Sequence, residues 1–154
     1  MTKSFSIILL FLFSNCITDP GVIYLIPKGY VGRVIIFYGQ PNGKDKIMRD
    51  NFRVFEIPPN GALRTKFDVG SKVMPVSNLK FYYVDNDKVQ TEIPLETNNY
   101  EPSNKKEIKI YLIKDGNFDV NGQRIRFTEF IIDSYDHLDS YSNFNPTNMF
   151  NNSK

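Results

Sequence analysis

The sequence predicts an all-β protein: a single antiparallel β-sandwich of about seven to nine strands, preceded by an N-terminal signal segment and followed by an irregular tail. Three observations carry that expectation. Between Val22 and Asp133 the apolar segments are short and rich in Val, Ile, Phe and Tyr, the residue types that pack well on a pleated surface. Turn chemistry separates them at roughly 8–14-residue intervals, the spacing of sandwich and small-barrel strands. No segment sustains a helical period beyond two turns. The chain has 154 residues, 41% of them hydrophobic and 23% charged, enough for one domain with a buried core.

Val22–Pro27 is the first expected strand, stopped by Lys28-Gly29. Gly32–Tyr38 (GRVIIFY) is apolar on both faces, as a central strand would be. Asn42-Gly43 then marks a tight turn. Phe52–Ile57 runs to the turn Pro58-Pro59-Asn60-Gly61, and Ala62–Phe67 leaves it. Leu79–Val84 and Lys88–Leu95 flank Asp85-Asn86-Asp87 as a hairpin. Glu107–Ile113 alternates, with Ile108, Ile110 and Leu112 on one face and Lys109 and Tyr111 on the other. Asp119–Ile132 contains a second Asn-Gly, at Asn121-Gly122. In it Ile125 and Phe127 differ in parity from Phe130 and Ile132, which predicts a bulge near Thr128-Glu129. Gln40–Asp50 and Asn98–Lys106 are the expected exposed loops, and Ser134–Lys154, with five Asn, reads as a loosely docked or disordered tail. A short helix around Ser134–Ser140 is the alternative there.

Met1–Asn15 reads as a targeting segment. Lys3 is the only charge before Asp19, and Phe5–Phe13 is a nine-residue, mainly apolar run. That is the layout of a secretory signal, and it falls short of the ~20 residues of a membrane-spanning helix. The run ends in Phe13-Ser14-Asn15-Cys16, which places the single cysteine after small and polar residues. This resembles a bacterial lipoprotein signal, in which cleavage leaves Cys16 as a diacylated first residue. Asn15 before the cysteine resembles the relaxed lipoboxes of Bacteroidota lipoproteins. The alternative is an ordinary secretory signal with an unmodified cysteine. Ile17-Thr18-Asp19-Pro20 lacks the acid-rich pattern of surface-export signals, so the expected location is the outer membrane, facing the periplasm. The expected organisation is a signal peptide at 1–15, an anchor and linker at 16–21, the sandwich at 22–133 and the tail at 134–154.

From Ile26 to Asp85 the chain resembles a bacterial domain of unknown function found in small lipoproteins. The residues that carry the resemblance are Pro27-Lys28-Gly29-Tyr30-Val31-Gly32-Arg33-Val34, Gln40–Gly43, and Ile57-Pro58-Pro59-Asn60-Gly61-Ala62-Leu63-Arg64-Thr65-Lys66-Phe67. The pattern is also similar, more loosely, to transthyretin-like and carboxypeptidase-regulatory-like sandwiches. The resemblance implies a fold and no catalytic residue. Gly29, Tyr30, Gly32, Asn42, Gly43, Pro58, Asn60 and Gly61 read as structural turn residues. Gly29 and Gly61 can take positive φ, Pro58 ends a strand, and Tyr30 can bury its ring while its hydroxyl finds a backbone acceptor.

Little in the sequence points to catalysis. His137 is the only imidazole and lies among Ser134, Tyr135, Asp136 and Asp139, without a G-x-S-x-G elbow. Glu56, Asp68, Asp85, Asp87, Glu92, Glu96, Glu107, Asp115, Asp119 and Glu129 could supply a glycosidase pair, yet most alternate with Lys or Arg, as solvated faces do. Asp85-Asn86-Asp87 lacks the remaining ligands of a calcium loop. One Cys and one His cannot build a structural zinc site. Tyr24, Tyr38, Tyr82, Tyr83, Tyr100 and Tyr111 could form a sugar platform or fill a core that has no Trp. A net charge of +2 and no basic stripe argue against nucleic acid. The expectation is a membrane-anchored, non-enzymatic module with no cofactor, whose partner is an envelope protein or polysaccharide. An envelope hydrolase using a carboxylate pair is the alternative.

Overall fold

The computed structural model describes residues 20–69, 75–97 and 101–153. The expected signal segment 1–15, Cys16, Tyr100 and the start of the Asn98–Lys106 loop lie outside the described residues. Among the described residues nine strands form: β1 (Gly21–Pro27), β2 (Gly32–Phe37), β3 (Ile47–Arg49), β4 (Phe52–Glu56), β5 (Ala62–Arg64), β6 (Leu79–Val84), β7 (Gln90–Glu92), β8 (Lys109–Val120) and β9 (Gln123–Asp133). They make two packed sheets, ordered β3-β4-β1-β6-β7 and β5-β2-β9-β8. The sandwich stands as expected.

Its pairing differs from the antiparallel expectation, because both sheets are mixed. β1 pairs in parallel with β4 and with β6, and β2 in parallel with β5. The cause is the path of the chain. The turns at Lys28-Gly29 and Pro58–Gly61 carry the chain across to the other sheet instead of closing a hairpin within one. β1 and β4 therefore make no hairpin with the strands that follow them, and the neighbours they take in their own sheet include parallel ones. Gly and Pro mark a reversal in the sequence, but not whether it stays in plane.

The parity conflict in β9 also resolves differently. Its ladder to β2 is regular from Phe127 to Ile132, so there is no bulge at Thr128-Glu129. Instead each parity serves its own core. Phe130 and Ile132 face the other sheet with Val34, Ile36, Tyr24, Phe55 and Phe81. Ile125 and Phe127 join Ile35, Phe37 and Ala62 on the opposite face. The bulge sits in β8, between Tyr111 and Lys114. There Leu112 takes φ 54° and is 61% exposed, while Ile113 packs at the core edge in its place.

The second core needs a cover, and the tail supplies it. The tail is ordered: a 3-10 helix spans Tyr135–Tyr141, close to the alternative helix at Ser134–Ser140, and α1 spans Pro146–Asn152. α1 is started by Asn145, whose side chain accepts from the Thr147 amide, with Pro146 in the first turn. Phe144, Met149 and Phe150 pack on the second core. Phe150 meets Phe37 edge-on at 5.1 Å and Phe118 at 5.7 Å. The molecule therefore has three layers, sheet, sheet and tail. Between the sheets Tyr24 stacks on Phe81 at 4.9 Å and meets Phe130 edge-on at 5.0 Å. The Gln40–Asp50 segment is less of a free loop than expected: Gln40 is buried, Lys44 bridges to Thr65, and Ile47–Arg49 returns as edge strand β3.

Phe150→Ala removes a ring from a three-sided aromatic contact and opens the second core. It should destabilise the protein by about 3 kcal/mol, read as a lower urea midpoint, and expose tail amides to hydrogen exchange before the sheet amides.

Candidate functional site

The two sequence motifs meet at one corner of the sandwich. Gly29, at φ 79°, lets the chain reverse after β1, and the Tyr30 amide donates to the Pro27 carbonyl at 3.0 Å. The Tyr30 hydroxyl donates to the Arg33 carbonyl at 2.6 Å, and the Tyr83 hydroxyl donates to the Tyr30 carbonyl at 2.8 Å. Gly32 takes φ 136° beside the Tyr30 ring. Gly61, at φ 75°, lies under the Tyr30 hydroxyl, where a Cβ would overlap it. The Gly61 amide donates to Pro58 at 2.9 Å, and Asn60 Oδ1 accepts from the Ala62 amide at 3.2 Å. At the next turn the Gly43 amide donates to Gln40 at 2.9 Å, and Gly43 leaves no room for a Cβ against the Arg64–Thr65 backbone. Asn42 and Pro58 line the cavity beside it.

Behind this corner lies a charged network that sequence reasoning missed. Arg33 on β2 and Glu129 on β9 project toward the tail. Glu129 is fully buried, and Arg33 Nη1 donates to its Oε2 at 2.6 Å, while the half-exposed Lys114 ammonium pairs with Oε1. Arg33 Nη2 also donates to the Tyr141 carbonyl at 2.5 Å, and the guanidinium lies 3.9 Å from the Phe144 ring centroid. Burial lowers the pKa of Arg33 from its ordinary value, with Tyr141 opposing, yet a guanidinium stays charged in proteins. Arg64 on β5 repeats this chemistry further along the tail. Its Nη2 donates to the Phe150 carbonyl at 2.5 Å, its Nε to Ser153 Oγ at 2.9 Å, and its plane stacks 3.9 Å from the Phe150 centroid. Two arginines thus each hold one carbonyl and one aromatic ring of the tail.

Asp133, at the end of β9, anchors the 3-10 helix. Its Oδ2 accepts from the Tyr141 hydroxyl at 2.6 Å, and its Oδ1 accepts from the Ser134 amide at 2.6 Å and lies 3.0 Å from His137 Nδ1. Burial raises the carboxyl pKa, but the bonds from Tyr141, Ser134 and His137 outweigh it and hold the group below the ordinary carboxylate value. Burial and the bond to Asp133 push the Tyr141 hydroxyl up to about 12. His137 is therefore tied to Asp133, and its link to Ser134 is the backbone bond from its amide to the Ser134 carbonyl at 3.2 Å.

The candidate carboxylates are dispersed across the fold. Glu96 and Glu107 share Lys109, at 3.0 and 3.4 Å. Asp115 accepts from Thr128 Oγ1 at 2.5 Å, which in turn accepts from the Tyr38 hydroxyl at 3.0 Å. Burial, with the charge of Asp115 adding to it, pushes Tyr38 up to about 12. Asp85 accepts from the Asp87 and Val89 amides at 3.1 and 2.9 Å, closing the expected turn. Glu56, Asp68, Asp87, Glu92 and Asp119 are exposed. Among the described residues no three His, Cys, Asp or Glu gather as a metal site. Of the tyrosines, Tyr24 is core and Tyr83 packs at its margin. Tyr111 is buried, its hydroxyl without a hydrogen-bond partner, and Tyr82 is half-buried on the outer face of its sheet. They do not form one platform.

A concave surface lies at the open edge between β3, β4 and β5. A cavity of about 220 Å³ is lined by Lys44, Asp45, Ile47, Val54, Leu63 and Thr65, among others. Lys44 and Leu63 separate it from a second, shallower hollow of about 490 Å³ beside Asn42, Pro58, Arg64 and Ser153. The mixture of apolar walls with the exposed Lys44, Asp45 and Glu56 suits an extended polar chain rather than a compact apolar ligand.

Two predictions follow the network. Arg33→Met leaves the buried Glu129 with one solvated partner and should cost about 3–5 kcal/mol in chemical denaturation, whereas Arg33→Met with Glu129→Met should recover most of it. Asp133 is held below its unfolded value of ~3.9, so its contribution is present above that pH and is lost as pH falls through the folded value. Asp133→Asn should lower stability at neutral pH and flatten the loss as the pH falls below about 4, measured by urea midpoints at neutral and acid pH.

A solved structure of similar fold is that of a candidate lipoprotein from Bacillus anthracis. It superimposes with a TM-score of 0.57 over 73% of this chain and 69% of that one, at 23% identity, a likeness of fold alone. No curated protein matches the chain. The family of unknown function DUF6843 matches residues 20–141, from the proline before β1 to the end of the 3-10 helix. That span takes in both corner motifs, Arg33, Glu129 and Asp133, and the chain belongs to DUF6843.

Proposed function

We propose that this chain is a lipid-anchored protein of the bacterial cell envelope whose sandwich is a non-catalytic module for binding a protein or polysaccharide. One observation carries the reading. Cys16, the only cysteine, stands directly after a positively started apolar run and five residues ahead of Gly21, the first residue of β1. A signal peptidase site at Asn15-Cys16 would free an acylated residue at the threshold of the fold. The fold shared with a candidate lipoprotein supports it. Two or more acyl chains give stable anchoring where one gives marginal binding. The relaxed sequence before Cys16 fits the Bacteroidota type, and the lack of an acid-rich run after it favours the outer membrane with the domain toward the periplasm.

The charges of this network support the non-catalytic half of the reading. Arg33, Glu129, Lys114 and Asp133 are each engaged in holding the tail or one another. The binding surface in this reading is the open edge around Lys44 and Ile47.

Fractionation of cells tests the anchor. The native chain should sediment with membranes and carry radiolabelled acyl chains, with its processing blocked by globomycin. Cys16→Ala should appear in the soluble fraction. A Cys16→Ala protein still bound to membranes would overturn the anchor.

A further inference from the structure

We propose that the pole of the sandwich where β1 begins is a docking surface for anionic phospholipid headgroups, so that the domain stands on the bilayer in a fixed orientation. This rests on the lipid anchor at Cys16 and specifies how the anchored domain meets its membrane. Five residue spacings separate Cys16 from Gly21, a reach of roughly 17 Å when fully extended. A tether that short brings the β1 end of the fold to the headgroup layer.

The registers define what lies at that end. Gly21 is level with Phe52, which is level with Arg49, and Ile23 is level with Lys80. Phe52, Arg49 and Lys80 therefore share the outer face of their sheet, and the Lys80 ammonium sits 4.4 Å over the Phe52 ring. In the other sheet β2 runs back toward this pole and ends at Phe37, opposite Phe127. The β8–β9 hairpin continues past that level to Gln123 and the turn at Asn121-Gly122, an overhang of roughly 13 Å at ~3.3 Å per residue. The hairpin reaches about as far as the tether does.

The chemistry of this pole fits phosphate. Arg49, Lys80, Arg124 and Arg126 are exposed, with Arg53 behind them, against Asp50, Asp68 and Asp119. Of these acids, Asp68 is already within 3.9 Å of Lys46. The half-exposed Phe52 and the 50% exposed Val76, which precedes β6, add apolar groups of the kind that seat at a headgroup boundary. The opposite pole is mixed in sign: Asp85, Asp87 and Lys88 lie in the β6–β7 turn, Lys28 stands 3.5 Å from Asp85, and Asp136 lies in the 3-10 helix that follows β9. A basic end toward the tether and a mixed end away from it give the domain one preferred footing on an anionic surface.

The test uses the acylated full-length protein, in which an introduced cysteine is the only free thiol. Asn121→Cys and Asp87→Cys are each labelled with an environment-sensitive fluorophore. Both are reconstituted in phosphatidylcholine vesicles with and without 30% phosphatidylglycerol, carrying a headgroup quencher. The label at 121 should be quenched at least threefold more than that at 87, and more strongly with phosphatidylglycerol. Arg49→Glu with Lys80→Glu and Arg124→Glu, all at exposed positions, should abolish the phosphatidylglycerol effect. Equal quenching at the two sites, or stronger quenching at 87, overturns the orientation. Quenching at 121 that ignores phosphatidylglycerol and the charge reversals overturns the headgroup assignment. Failure of the anchor itself is a separate result, seen as a chain that lacks acyl groups and never co-floats with vesicles.

Discussion

The sheet formed by β5, β2, β9 and β8 is apolar on both faces, and that constraint governs the rest of the fold. A strand such as GRVIIF cannot rest with Ile35 and Phe37 in water, because each such side chain gains about 1.5–3 kcal/mol on burial. One face is satisfied by the opposing sheet. The other recruits the C-terminal segment, which is too short and too polar to fold alone. Its docking is made specific by Arg33 and Arg64, which bind backbone carbonyls and aromatic rings together. Glu129 belongs to the same device: it is the counter-charge that lets a guanidinium sit beneath the tail.

Much of the architecture was legible in the sequence. The β class, the places of most strands apart from β3 and the second half of β8, and the turns at Asn60-Gly61 and Asn121-Gly122 follow from period and turn chemistry. The parallel pairings were hidden, since Gly29 and Gly61 signal reversal without direction. The tail was misjudged because Phe144, Met149 and Phe150 form no periodic stripe. The clue lay elsewhere, in β2 and β9. A strand with two apolar faces has to be covered twice, and a buried charge within it has to be paired. Arg33 and Glu129, lone charges inside GRVIIF and FTEFII, were signals of a third layer that parity counting assigned to a bulge. Asp133 carried no motif at all, because its partners Tyr141 and His137 meet it only when the 3-10 helix forms.

The charged groups divide by role. Those within the second core hold the tail, and those at the poles are free to face the surroundings. Interior charges in such a small protein cost solvation, and here each is returned in hydrogen bonds to backbone and carboxylate. The cations near β1 make local contacts, Arg124 with Asn117 and Lys80 with the Phe52 ring, but none holds the tail, and they give that end a distinct electrostatic character.

The placement of β1 has a mechanical consequence. It is the first strand of the fold, nearest the proposed anchor, and it lies in the middle of its sheet with β4 and β6 parallel on either side. Force applied through the tether therefore runs along a strand bonded on both flanks. Such a load shears two ladders at once, and their hydrogen bonds must give way together. An edge strand in the same position would peel away one bond at a time. A protein fixed to a moving bilayer and gripped by a partner elsewhere would thus bear tension through the strongest axis that its sheet provides.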